Sequence, residues 1–302
     1  MRALRSALPV LGIIALVVLD IGLVYLAYEH TRSGAGSDID SSAVPTPSET
    51  TGTDDGDTTP PARSSMSKGE VLLDSASDGT VVRASRGDCE SDDVRPAVQV
   101  SSDSGATFAG AGIAGLADVL RVSASGADNI LVIGADADCA LTAYTSDDGG
   151  ATWRGSRRSD AFWHLSLGAA STVHAPGGEV EPGCDVEALL PLTEAGARVL
   201  CTTDELRGTA DAGAHWTSLG ALEGATAVYY VDTGIAWAVG ASEECDAAVY
   251  RTHDGGAQWS PRACIDGDAA PQAVSVSVGV VTVQAGGDIQ TSDDGGESWS
   301  AP

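Results

Sequence analysis

The sequence predicts an all-β domain, a β-propeller of five four-stranded blades set around an axis, preceded by one transmembrane helix and a disordered linker. Three observations predict it. An octapeptide recurs five times, as Ser101–Phe108, Ser146–Trp153, Thr209–Trp216, Thr252–Trp259 and Ser292–Trp299, each with a hydroxyl residue first, Asp third, Gly fifth and an aromatic eighth. The first residues lie 45, 63, 43 and 40 apart, and a period near 40 with strand-like flanks reads as one blade per copy. Gly is abundant, at 37 residues, beside many Val, Thr and Ser, the composition of strands joined by tight turns.

From the N-terminus, Arg2 and Arg5 precede Val10–Tyr28, a 19-residue run rich in Leu, Ile and Val that is long enough to cross a bilayer as a helix. Basic residues ahead of it place residues 1–9 in the cytoplasm. A cleaved signal peptide is the competing reading, but it needs a shorter apolar core and a small-x-small site, whereas Leu26-Ala-Tyr-Glu-His30 follows here. The expectation is an uncleaved signal anchor over 10–28 in the cell membrane. Asp20 sits mid-run, as a contact to another membrane helix or as a carboxyl offset by its apolar neighbours.

Residues 29–69 turn to Ser, Thr, Gly, Asp and Pro, with almost no aliphatic side chains, so they cannot bury a core. As a flexible coil this linker spans on the order of 35 Å. Residues 70–302 form the folded, extracytoplasmic part. The strands expected in its first unit are Val71–Ala76, Thr80–Ala84, Ala97–Ser101 and Thr107–Ala111; in the second, Val119–Ser123, Ile130–Gly134, Leu141–Thr145 and Thr152–Gly155. The fourth unit offers Ala227–Val231, Ile235–Gly240, Ala247–Arg251 and Gln258–Arg262. The fifth offers Ala273–Val278, Val280–Gln284, Asp288–Thr291 and a truncated strand from Ser298. The 63-residue spacing holds an insertion, Asp160–Gly183, where Trp163 and His164 either line a binding cleft or cap the core beneath a long loop.

Within each turn the carboxylates of Asp103, Asp148, Asp211, Asp254 and Asp294 can fold back onto backbone N–H groups. The aromatics Phe108, Trp153, Trp216, Trp259 and Trp299 begin the next strand and bury between blades. A calcium loop is the alternative for Asp-Asp-Gly-Gly, but no copy has the alternating oxygen ligands and twelfth-position Glu that it needs.

The octapeptide resembles the Asp-box, or bacterial neuraminidase repeat, of sialidases, of plant photosystem II assembly factors and of many secreted propellers. The resemblance covers about residues 70 to 302 and implies the fold, not a reaction, since the boxes of those families join the two outer strands of a blade away from the active site. Carried onto this chain, it places second-to-third-strand loops and blade links on the opposite face. All six cysteines then share that face, and of the fifteen possible pairings the expected ones are Cys184 with Cys201, Cys245 with Cys264 and Cys89 with Cys139. No CxxC pair points to a metal, and no cofactor is implied.

A sialidase-like exo-glycosidase is the enzyme reading that the resemblance raises. It needs three arginines and a Tyr–Glu pair in the central funnel. The inner strands supply only Arg121, Glu187, Tyr229 and Tyr230, and the Arg-Ile-Pro signature is absent. Acidic residues gather in the cysteine loops, notably Asp88, Asp136, Asp138, Glu243 and Glu244, which are ligand-binding candidates or a solvated surface. Arg86-Gly-Asp88 also spells an integrin-type tripeptide. Formal net charge is −27, and residues 70–302 hold 35 acidic and 11 basic side chains, a net −24. That excludes a nucleic-acid partner, which needs a basic surface, and favours cationic ligands. The reading is a membrane-anchored, non-catalytic binding or assembly module for a protein or glycan partner.

Overall fold

The computed structural model describes residues 71–91, 93–245, 247–265 and 271–302. The apolar run and the linker of the sequence analysis lie outside these residues. Among the described residues no helix is long and apolar enough to cross a membrane.

Six antiparallel sheets follow one another along the chain, each built from consecutive strands. The first blade is β1 (Val71–Ser75), β2 (Val81–Ser85), β3 (Ala97–Ser101) and β4 (Ala109–Gly110). The second is β5 (Asp118–Gly126), β6 (Asn129–Ala135), β7 (Leu141–Ser146) and β8 (Arg154–Ser156). After a 3-10 turn at Arg158–Ala161, the third comprises β9 (His164–Leu165), β10 (Val173–Ala175) and β11 (Gly178–Val180). The fourth is β12 (Val186–Pro191), β13 (Ala197–Cys201), β14 (Glu205–Thr209) and β15 (Thr217–Ala221). The fifth is β16 (Ala225–Tyr230), β17 (Ala236–Gly240), β18 (Ala248–Thr252) and β19 (Ser260–Pro261). The sixth is β20 (Pro271–Ser277), β21 (Val280–Ala285) and β22 (Asp288–Ser292), with Ser300 bridging back to Thr291 in place of a fourth strand.

The blade count of five is therefore corrected to six. The extra blade is the Asp160–Gly183 insertion. Its strands are two or three residues long and carry no hydroxyl–Asp–Gly–aromatic turn, so it leaves no trace in a count of repeats. It also runs against its neighbour. The Trp163 indole N–H donates to the Thr193 and Glu194 carbonyls in the β12–β13 turn, whereas the Ala170 carbonyl accepts the N–H of Val186 at the start of β12. The chain from 163 to 170 thus passes along β12 in the opposite direction.

The repeated turns explain the other five blades. In every copy the leading hydroxyl accepts the N–H of the fifth residue, at 2.8–3.1 Å, and donates to the Asp, which accepts the N–H of the seventh residue at 2.8–3.0 Å. Such closed local bonding satisfies donors that the turn would otherwise leave bare. In four blades the turn also donates an N–H to the hairpin joining the first two strands, as from Ser104 to Gly79 and from Gly149 to Ala127. Turns and these hairpins therefore share one face of the molecule, and loops between second and third strands lie on the other. Gly150 shows why the fifth position is Gly: φ is +85°, and a Cβ would lie 2.8 Å from Val100 in the preceding blade.

The core is a series of clusters between blades, such as Val82, Val98, Val119, Ile130 and Val132 between the first two. The ring closes where the sixth blade meets the first. Leu73, Val81, Ala273 and Ile289 pack there with Phe108, and the hydroxyls of Ser75 and Ser275 bond at 3.0 Å. Among the described residues no strand of one is exchanged into the other.

Candidate functional site: the central cavity and the disulfide face

The first strand of each blade faces the axis and encloses a cavity of about 320 Å³. Four of these strands open with a one-residue bulge, at Leu120, Glu187, Thr226 and Gln272, where the register to the second strand slips. A bulge re-aims its side chain, and Leu120, Thr226 and Gln272 all line the cavity.

Its polar heart is Asp74. One carboxylate oxygen accepts the Ser75 N–H at 3.0 Å and the Tyr229 hydroxyl at 3.2 Å, and the other accepts the Ala124 N–H at 2.9 Å. The carboxylate thereby ties blades one, two and five across the axis. Burial raises the Asp74 carboxyl above its ordinary value, against the pull of the bonds from Ala124, Ser75, Tyr229 and Ser123. Burial, with the Asp74 charge and bond adding to it, also pushes the Tyr229 phenol well up. Arg121 is the cation of the cavity. Its Nη1 donates to the Trp163 carbonyl at 3.0 Å; burial lowers its guanidinium, and the Asp74 charge opposes that.

The other residues singled out from sequence scatter. Tyr230 borders the cavity but buries its ring between the fourth and fifth blades, with its hydroxyl on the Gly255 carbonyl at 2.8 Å and its phenol pushed up to about 12, chiefly by burial. Glu187 lies at the start of β12, its carboxyl raised by burial and by Asp204. Trp163 is 2% exposed and meets Trp216 edge to face at 6.2 Å; His164 is 1% exposed. Asp74 itself escaped notice in the sequence. Its one signal there is a lone acid closing the apolar run Val71-Leu-Leu.

On the far face three disulfides join Cys89 to Cys139, Cys184 to Cys201 and Cys245 to Cys264. The first staples blade one to blade two. The acids around them differ in freedom: Asp136 is occupied by the N–H groups of Asp138 and Ala140 at 2.9 Å, and Asp88 by that of Glu90, whereas Asp138, Glu243 and Glu244 are exposed. Arg86 is not displayed as part of a recognition tripeptide. It is 7% exposed and forms a buried ion pair with Asp118 at 2.7 Å. Among the described residues no group of three or more His, Cys, Asp or Glu side chains converges as a metal site would require.

No protein-family model matches the chain, and no curated protein matches it in sequence. Several solved structures are similar in fold. YCF48 bound to D1 peptide aligns at 16% identity and TM-score 0.33, over 77% of this chain and 66% of that one. YCF48 from Cyanidioschyzon merolae aligns at 12% and 0.33, over 78% of this chain and 85% of that one. A mutant Aleuria aurantia lectin in complex with alpha-methyl-L-fucoside aligns at 12% and 0.46, over 78% of this chain and 94% of that one. At these identities and TM-scores the likeness carries no argument about this chain, whose propeller rests on its own six sheets.

Proposed function

We propose that this chain is a membrane-anchored, extracytoplasmic, non-catalytic binding module for a protein or glycan partner, and that its five recurrent turns are Asp-boxes. The observation that carries the reading is the state of the cavity's polar groups. Asp74, the acid that meets Tyr229 there, is already filled by protein donors, and Tyr229 donates its hydroxyl to it. A glycosidase of the sialidase kind needs a free Tyr–carboxylate couple and three arginines; the cavity lining has one arginine.

The binding surface is the disulfide face. Its loops are held in place before a partner arrives, which lowers the ordering cost of association. Asp138, Glu243 and Glu244 give it a field that draws cationic groups. The test pairs a glycan array and a panel of basic peptides with a fluorogenic sialoside panel. Binding that is lost on Asp138→Asn with Glu243→Gln and Glu244→Gln, without turnover of any sialoside, supports the module. Turnover abolished by Tyr229→Phe would instead make the protein an enzyme.

A further inference from the structure

The third blade carries a feature that neither its packing nor the proposed binding explains. His164 on β9 and His174 on β10 are directly cross-strand, and their rings stack at 4.5 Å with 6° between the planes. His164 is 1% exposed. Its Nδ1–H donates to the Leu165 carbonyl at 2.9 Å, which leaves Nε2 as the acceptor nitrogen, buried and without a partner. Opposite His174, on β11, stands Glu179, whose carboxylate lies 3.3 Å from His174 Nδ1 and also accepts the Ser166 hydroxyl. On the other side His174 Nε2 reaches the Asp160 carbonyl at 3.4 Å. The charged and titratable groups around His164 are thus His174, Glu179 and, from β5, Arg121.

We propose that the third blade is an acid-sensitive element, which loosens when the His164–His174 stack takes up a proton and so frees the cavity wall at β9 and the tether of Arg121.

The physical reasons lie in the geometry. A cation on His164 would have its second N–H buried without an acceptor, and such a group costs its full desolvation. It would face His174 at stacking distance and Arg121 behind, with half-exposed Glu179 the one opposing charge. Burial, as the largest cause, pulls His164 down to about 4 from its ordinary 6.5. A histidine depressed in the folded state contributes stability that is complete above about pH 6.5 and is lost as pH falls toward 4. The blade has little to resist that loss. It has three strands of two or three residues and no Asp-bearing turn. Leu165 lines the cavity and Trp163, one residue before His164, holds Arg121 through its carbonyl, so movement of β9 reaches the axis directly.

Hydrogen exchange on the full chain, corrected for intrinsic rates, tests the proposal whether or not any ligand binds. Between about pH 6.5 and pH 5, amides of residues 157–185 should lose protection roughly 15-fold, the slope approaching tenfold per pH unit for one excluded proton below the ordinary value, while the other five blades keep theirs. His164→Phe, which preserves the ring stack, should abolish the selective loss. If residues 157–185 track the other blades in the wild type, or if His164→Phe retains the selective loss, the proposal fails. Should that variant not fold, the imidazole titration of the wild type by NMR decides: His164 titrating below about pH 5 supports the device, and titration near the ordinary 6.5 overturns it.

Discussion

Arg86 and Asp118 show how a single pair can fix the relation of two blades. Arg86 leaves β2 and donates through Nε and Nη2 to both carboxylate oxygens of Asp118, the first residue of β5, at 2.9 and 2.7 Å. The N–H groups of Gly87 and Val119 also donate to Asp118, so its charge is fully bonded although fully buried. A bidentate guanidinium is the group suited to this, being planar, always charged and readily desolvated. Removing one partner strands the other in a dry site. Arg86→Ala is therefore expected to destabilise the protein by about 3–5 kcal/mol, read from urea unfolding at neutral pH. A loss under about 1 kcal/mol would mean that water reaches Asp118 and that the pair is superficial.

At the scale of the element, the recurrent turn is a unit whose chemistry lies within eight residues. Hydroxyl, Asp and Gly bond to one another and to the backbone between them, which is why the sequence alone reveals the turn. Its charge has a measurable consequence. Bonds from the leading hydroxyl and from the seventh residue hold Asp103, Asp148 and Asp211 down to about 2 from 3.8. A carboxyl depressed on folding contributes stability that is complete above its unfolded value and lost as pH falls toward the folded one. Thermal unfolding should accordingly show a steep fall in midpoint between about pH 4 and pH 2, and Asp148→Asn should flatten that limb; an unaltered limb would show that the turns play no part in acid unfolding. The third blade obeys none of this local grammar. His164 and His174 meet only because two very short strands pair, and Asp74 gains its role from Ala124 and Tyr229, 50 and 155 residues away. Such relations belong to the ring and not to any stretch of chain, so the sequence revealed Tyr229 and Arg121 as residues but not the arrangement that employs them.

For the whole molecule, blades are joined at their flanks, and the disulfides differ in what they join. Cys89–Cys139 spans 50 residues and crosses from one blade to the next, whereas Cys184–Cys201 spans 17. On loop entropy the longer closure is worth about 4 kcal/mol and the shorter about 3, so replacing the Cys89 pair by Ala should lower the urea midpoint more than replacing the Cys184 pair. The reverse order would place the weak joint at the third blade and not between the first two.

The seam between the sixth and first blades has a wider implication. Many closed rings are locked by lending one terminal strand to the opposite end of the chain. Here a Cβ on Gly105 would lie only 3.1 Å from Ile289, Arg83 donates to the Gly287 carbonyl at 3.3 Å, and among the described residues each sheet comes from one contiguous segment. Circular permutation is therefore open to this architecture: a polypeptide that began in the link before the third blade, with residue 302 joined to residue 71, would keep the six described sheets whole, and the ring would owe its shape to blade faces rather than to the order in which blades are made.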